Sequence, residues 1–279
     1  MTRSRTRFAA WSTAMLSAAA LVAGLIVGAS SPAAAATPYA VLVIEDSGGF
    51  MPPSWAMRRT PRVAVYSDGT IYATSQVQTM QYPGPAAPGI RRKAGASIMR
   101  ILAAADAAKV TDPKFDWGFP GIADAPSTVF KIQRSARGPV MRIDIYALGI
   151  DGFGLTKEQT AARSLAAKLV DRLQSFDNQL VPTKSMPTTW TSTRWAYSAE
   201  PMARDEFSVV RPWISKKVLS ATPVCNELTA AENRVLVALL PKLNQSSRWT
   251  SDKRLWNVNL RPLFPHESGC ESLDYVSGW

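Results

Sequence analysis

VFKIQR at Val129–Arg134, VMRIDIYAL at Val140–Leu148 and LTKEQTAARSLAAKLVDRLQSF at Leu155–Phe176 decide the fold class of this 279-residue chain. The first two alternate apolar and polar residues around the short Ser135–Pro139 connection, the pattern of neighbouring strands with one wet face. In the third, Leu165, Leu169, Val170, Leu173 and Phe176 recur at helical spacing as the expected buried stripe. Thr156 and Gln159 form a capping box at its start. Two strands followed by a long helix point to an α+β fold, with antiparallel sheets covered by helices on one face.

Upstream, Tyr39–Glu45 (YAVLVIE) reads as a buried strand that ends in Asp46-Ser47-Gly48-Gly49-Phe50. The two glycines permit positive φ and put Phe50 at a loop tip or just back on the core. Met51-Pro52-Pro53-Ser54-Trp55 then reads as loop. Arg62–Tyr66 and Thr70–Thr74 flank Ser67-Asp68-Gly69, the strongest hairpin signal in the chain. The Pro-Gly run Tyr82–Gly89 reads as an extended crossover, with Arg91-Arg92-Lys93 just ahead of a helix that starts near Ala94. Ile98, Ile101, Leu102 and Ala105 would form its buried face.

Downstream, the composition shifts to Pro, Thr, Ser and Trp between Leu180 and Trp195, which places a domain boundary there. Residues 37–181 would form an N-terminal α+β domain and 182–279 a C-terminal α+β domain of similar layout. The second segment offers an extended run at Glu206–Ile214 and a helix opened by the capping box Thr229 and Glu232. That helix is expected to bury Val235, Leu236, Leu239 and Leu240 before Pro241 ends it, and a strand follows at Lys253–Leu263.

At the start of the chain, Arg3, Arg5 and Arg7 precede an apolar run from Leu16 to Ala29, and Ala34-Ala35-Ala36 supplies small residues for cleavage. Residues 1–36 therefore read as a secretory signal. A spanning helix needs about 20 apolar residues, and this run is shorter and ends in Ser30-Ser31-Pro32. No transmembrane span is expected once it is cleaved, and the protein is expected to be secreted or extracellular, with cell-envelope association as a variant. The full chain carries a net charge of +11. An exported basic protein could meet anionic envelope polymers or acidic proteins, and no nucleic-acid partner is expected.

The compartment also decides the chemistry of Cys225 and Cys270, the two cysteines of the chain. In an oxidising environment they are expected to form a disulfide. His266 is the one histidine, so two-His zinc signatures lack a partner and no metal or cofactor is expected. No Gly-x-Ser-x-Gly elbow supports a Ser-His-Asp triad, and no lysine has a serine three residues before it. Gly149-Ile150-Asp151-Gly152-Phe153-Gly154 breaks the dinucleotide fingerprint, because Lys157 stands where the third glycine would be. Asp116, Asp124 and Asp144 are available for carboxylate chemistry, and Trp190, Trp195, Trp213, Trp249, Trp256 and Trp279 for stacking on sugars or for packing a core.

The SGGF-Pro-Pro opening (Ser47 to Pro53), YPGPA (Tyr82 to Ala86), DAPST (Asp124 to Thr128) and the terminal RPLFP (Arg261 to Pro265) before a cysteine resemble secreted actinobacterial proteins of unknown function. That resemblance implies no activity. Residues 39–176 also resemble emfourin-like inhibitors of thermolysin-type metalloproteases in the order strand, SGGF loop, more strand, helix, two strands and last helix. The Pro-Gly insertion and the whole C-terminal segment depart from that pattern. This second resemblance implies that Gly48, Gly49 and Phe50 form a partner-contacting loop. The combined expectation is an exported binding protein rather than an enzyme, with a protein or an envelope polymer as its partner and a carboxylate hydrolase as the remaining alternative.

Overall fold

The computed structural model describes residues 37–50, 57–74, 89–93, 98–150, 152–177, 179–181, 186–203, 209–221, 225–244 and 246–273. The expected signal at 1–36, the Pro-rich loop at 51–55, the Pro-Gly run at 82–88, the helix start near Ala94 and Trp279 lie outside them. The chain from Pro38 to Trp279 forms one compact unit of α+β architecture.

Its first sheet has seven antiparallel strands in the order β6-β5-β1-β2-β3-β4-β7. These are β1 (Ala40–Ser47), β2 (Val63–Tyr66), β3 (Thr70–Thr74), β4 (Gly89–Lys93), β5 (Ser127–Ile132), β6 (Met141–Tyr146) and β7 (Thr188–Trp190). The β2–β3 hairpin turns at Gly69 with φ +82°, a conformation that glycine adopts without strain. Helices α1 (Ile98–Ala107) and α2 (Lys157–Gln174) bury Ile101, Leu102, Ala105, Leu169, Val170 and Leu173 in one core with Leu42, Ile44, Val65 and Phe130 of the sheet. The capping box at Thr156 and Gln159 is formed.

Three local readings change here. Arg91, Arg92 and Lys93, read as the approach to a helix, themselves belong to β4, paired with Tyr72, Ile71 and Thr70 of β3, and the helix follows at Ile98. Leu165 points to solvent, while Arg163 is buried in its place. The boundary expected at 181/182 does not separate the sheets, because β7 follows it and still completes the first sheet beside β4.

The second sheet has the order β10-β8-β12-β11-β9. Its strands are β8 (Trp195–Pro201), β9 (Val209–Pro212), β10 (Asn226–Glu227), β11 (Ser247–Ser251) and β12 (Arg254–Pro262). The expectation of antiparallel sheets holds except at one pair: β9 and β11 run parallel, Val209 opposite Ser247. Helix α3 (Ala230–Leu239), capped by Thr229 and Glu232, sends Leu236 into a core with Trp195, Trp213, Trp249 and Trp256. Val235 of the expected stripe is exposed, and a 3-10 turn containing Pro241 follows the helix.

The segment after β12 crosses from the second sheet to the first. Phe264 packs with Val43, Ala64 and Tyr66 on the sheet face opposite the helices. The crossing is held by a buried ion pair in which Arg261 donates to Glu267 at 2.8 and 2.6 Å. Glu267 also accepts from the Phe264 amide at 2.7 Å, and the Arg261 Nε donates to the carbonyl of Arg59.

Beside it, His266 meets the Tyr66 hydroxyl through Nδ1 at 2.6 Å. Burial raises the Tyr66 pKa, so the phenol stays protonated and donates to a neutral imidazole. Burial also depresses His266 to about 4, with the nearby Lys131 and Arg261 acting in the same direction against Glu267. Because the folded value lies below the ordinary 6.5, the unfolded chain takes up the extra proton first as pH falls. Stability is therefore whole above pH 6.5 and is lost toward pH 4, by about 3 kcal/mol from this residue. Urea unfolding of wild type and His266→Gln at pH 7 and pH 4.5 checks this: the pH-dependent loss is smaller in the variant.

Candidate functional site

Strand register brings three connections to one end of the first sheet. Ser47 at the end of β1 lies opposite Ser127 at the start of β5, which in turn lies opposite Tyr146 at the end of β6. The loops at 48–50, 117–126 and 147–155 therefore leave from the same edge.

Gly48 and Gly49 take φ +66° and +79°, which only glycine adopts freely. A Cβ on Gly49 would also sit 3.2 Å from the backbone nitrogen of Pro126, so this position is restricted twice over. The Phe50 amide donates to the carbonyl of Asp124 at 3.3 Å, and Asp124 itself holds φ +56°. The Phe50 side chain is left 92% exposed. The three residues singled out in the sequence thus form one anchored turn with an aromatic tip in solvent.

The second loop is braced in the same way. The Tyr146 hydroxyl donates to the Ile122 carbonyl at 2.8 Å and accepts from the Ala125 amide at 3.0 Å. The Phe119 ring stacks on Tyr146 with centroids 5.2 Å apart. Asp116 accepts from Gln159 Nε2 at 3.1 Å, which ties this loop to the first turn of α2. Gly152 of the third loop packs so close to Pro120 that no side chain fits between them. Phe119 is 61% and Phe153 96% exposed, so each loop presents a phenylalanine to water.

Phe119 and Phe153 were not singled out from the sequence, yet a signal for them is present. Each is flanked by turn-forming residues, in Gly118-Phe119-Pro120-Gly121 and Gly152-Phe153-Gly154, and Phe50 likewise follows Gly48-Gly49. A large aromatic flanked by glycine or proline lies in a turn, where it has no neighbouring side chains to bury it.

The other candidates are engaged elsewhere. Asp144 takes both guanidinium contacts from Arg142 at 2.8 and 2.9 Å, and Asp116 is held by Gly118 and Gln159. His266 is packed at the crossing between the sheets. Trp195, Trp213, Trp249 and Trp256 are all buried, so none of the four is available to stack on a polymer. Cys225 and Cys270 are joined, with Cα atoms 5.6 Å apart. Among the described residues no three His, Cys, Asp or Glu side chains group as metal ligands, and no helix is long and apolar enough to cross a membrane.

With this geometry in hand, comparison with known proteins adds one likeness. The chain is similar to mouse EMILIN-3 over one stretch. The match is 26% identical over 122 residues, which is 44% of this chain and 14% of EMILIN-3. The chain thus spans about one seventh of the length of EMILIN-3, and a likeness this distant and partial carries no function across. No family model matches the chain, and no solved structure does.

Proposed function

We propose that this chain is an exported, non-enzymatic binding protein of the protease-inhibitor type, which contacts its partner through the Gly48–Phe50 loop. The observation that carries the reading is the full exposure of Phe50 on a backbone pinned by Asp124 and Pro126. An apolar tip on a rigid turn gives up little conformational entropy on docking, which favours binding over catalysis. Phe119 and Phe153 on the adjoining loops widen the apolar contact. The order of elements from β1 to α2 is the order of the emfourin-like inhibitors, and this supports a thermolysin-type metalloprotease as partner. The bond between Cys225 and Cys270 supports an oxidising compartment, reached by means of the signal at residues 1–36.

Titration of purified thermolysin tests the reading. Wild type is expected to inhibit it, and Phe50→Ala to raise the inhibition constant by about 30-fold, the loss typical of an anchoring aromatic. Val235→Ala, which removes an exposed apolar residue from α3, is expected to leave the constant unchanged. Equal inhibition by wild type and Phe50→Ala, or none by either, would refute the proposal.

A further inference from the structure

We infer that the cleft between the β6–α2 turn and the flank of α2 that carries Arg163, Ser164 and Lys168 is a binding site for a small oxyanion, a phosphate or a carboxylate. The cleft has a volume of about 310 Å³ and is bordered by Gly149 and Ile150 of the turn and by Arg163, Ser164, Lys168 and Asp171 of the helix.

Arg163 carries the argument. It is only 4% exposed, and its guanidinium donates to the carbonyls of Tyr146 and Ala147, each at 2.7 Å, and of Trp117 at 3.3 Å. Among the described residues no carboxylate pairs with it. Three carbonyls occupy three of its five donors, and none of them carries a charge to set against the guanidinium. A buried cation without a counter-charge is costly, and chains usually answer it with an acid. Desolvation lowers the Arg163 pKa, and among the described residues no acidic neighbour opposes it.

The rest of the cleft suits an anion. Ser164 and Lys168 lie one turn apart on α2 and therefore share a face, where they supply a hydroxyl and an ammonium. Asp171 is the single described acid on the border, against the two cations Arg163 and Lys168. Gly149 holds φ +84° with nothing within 4 Å of where a Cβ would stand, so backbone and open space face each other at that border. Oxyanions bind guanidinium through paired, charge-assisted hydrogen bonds, which is the pairing Arg163 lacks.

Calorimetric titration of the full chain with inorganic phosphate, and separately with acetate, tests the site against chloride at matched ionic strength. Saturable binding of either oxyanion is expected, weakened about tenfold in Lys168→Ala and unchanged in Lys216→Ala, a control on an exposed lysine of the second sheet's connections. Arg163→Gln, if its circular dichroism matches wild type, is expected to lose the response; Lys168→Ala alone decides the matter if it does not fold. Phosphate-only, acetate-only or joint binding with this dependence supports the site and names its ligand. No saturable binding, or an equal loss in Lys168→Ala and Lys216→Ala, overturns it.

Discussion

Glu267→Ala is expected to lower the free energy of unfolding by about 3–5 kcal/mol, because it strands the Arg261 guanidinium in the interior without its partner. Arg261 and Glu267 are 4% and 5% exposed at their side chains, so water cannot replace the lost contact. The damage extends beyond the pair: the Phe264 amide loses its acceptor, and Phe264 is the residue that reaches the first sheet. Urea unfolding at pH 7 measures the loss. The double variant Arg261→Met with Glu267→Leu is expected to recover much of it, since apolar residues of similar volume remove both charges at once. A double variant as unstable as Glu267→Ala would mean that the geometry, and not the stranded charge, sets the cost.

Removing the bond between Cys225 and Cys270 is the second large effect. The bond closes a loop across a sequence separation of 45, for which loop-closure entropy gives a stabilisation of about 4 kcal/mol. Cys225→Ser with Cys270→Ser is therefore expected to unfold at a markedly lower urea concentration than wild type. Dithiothreitol is expected to bring wild type down to the same midpoint while leaving the variant where it was. The Cys270 amide also donates to Glu227 of β10 at 3.0 Å, so the bond and this contact together hold the segment around Cys270 to the edge of the second sheet.

Much of this architecture can be read from residues whose local chemistry is unambiguous. Thr156 with Gln159 and Thr229 with Glu232 mark both helix starts, because a cap acts within its own turn and needs no distant partner. Asp68-Gly69 marks the hairpin for the same reason. What escapes a sequence reading depends on contacts far along the chain. β8 reads Trp-Ala-Tyr-Ser-Ala-Glu-Pro, with little apolar contrast, and is a strand because β10 and β12 flank it. β4 carries three cations that argue for solvent, and it is recruited by pairing with β3 and β7. Arg163 looks like a surface residue of an amphipathic helix, and only the carbonyls at the end of β6 draw it inward.

The candidate site divides along the same line. Gly48, Gly49 and Phe50 are legible because consecutive glycines before an aromatic announce a turn with a projecting ring. That Phe119 and Phe153 stand on neighbouring loops is a matter of register between β1, β5 and β6, which spacing alone does not encode. The cleft at Arg163 escapes for a different reason: its walls, a turn and the helix that follows it, are local, but Arg163 enters it only because the carbonyls of Tyr146 and Ala147 draw it inward.

The placement of β7 has a consequence for how such a chain can evolve. A strand encoded after residue 181 finishes the sheet begun at residue 40, and Phe264, encoded later still, plugs the back of that sheet. The two halves are therefore not interchangeable cassettes: a gene fusion that borrowed only the first would inherit a raw β-edge and an uncovered apolar face, both invitations to aggregate. Shuffling can move this protein only as a whole.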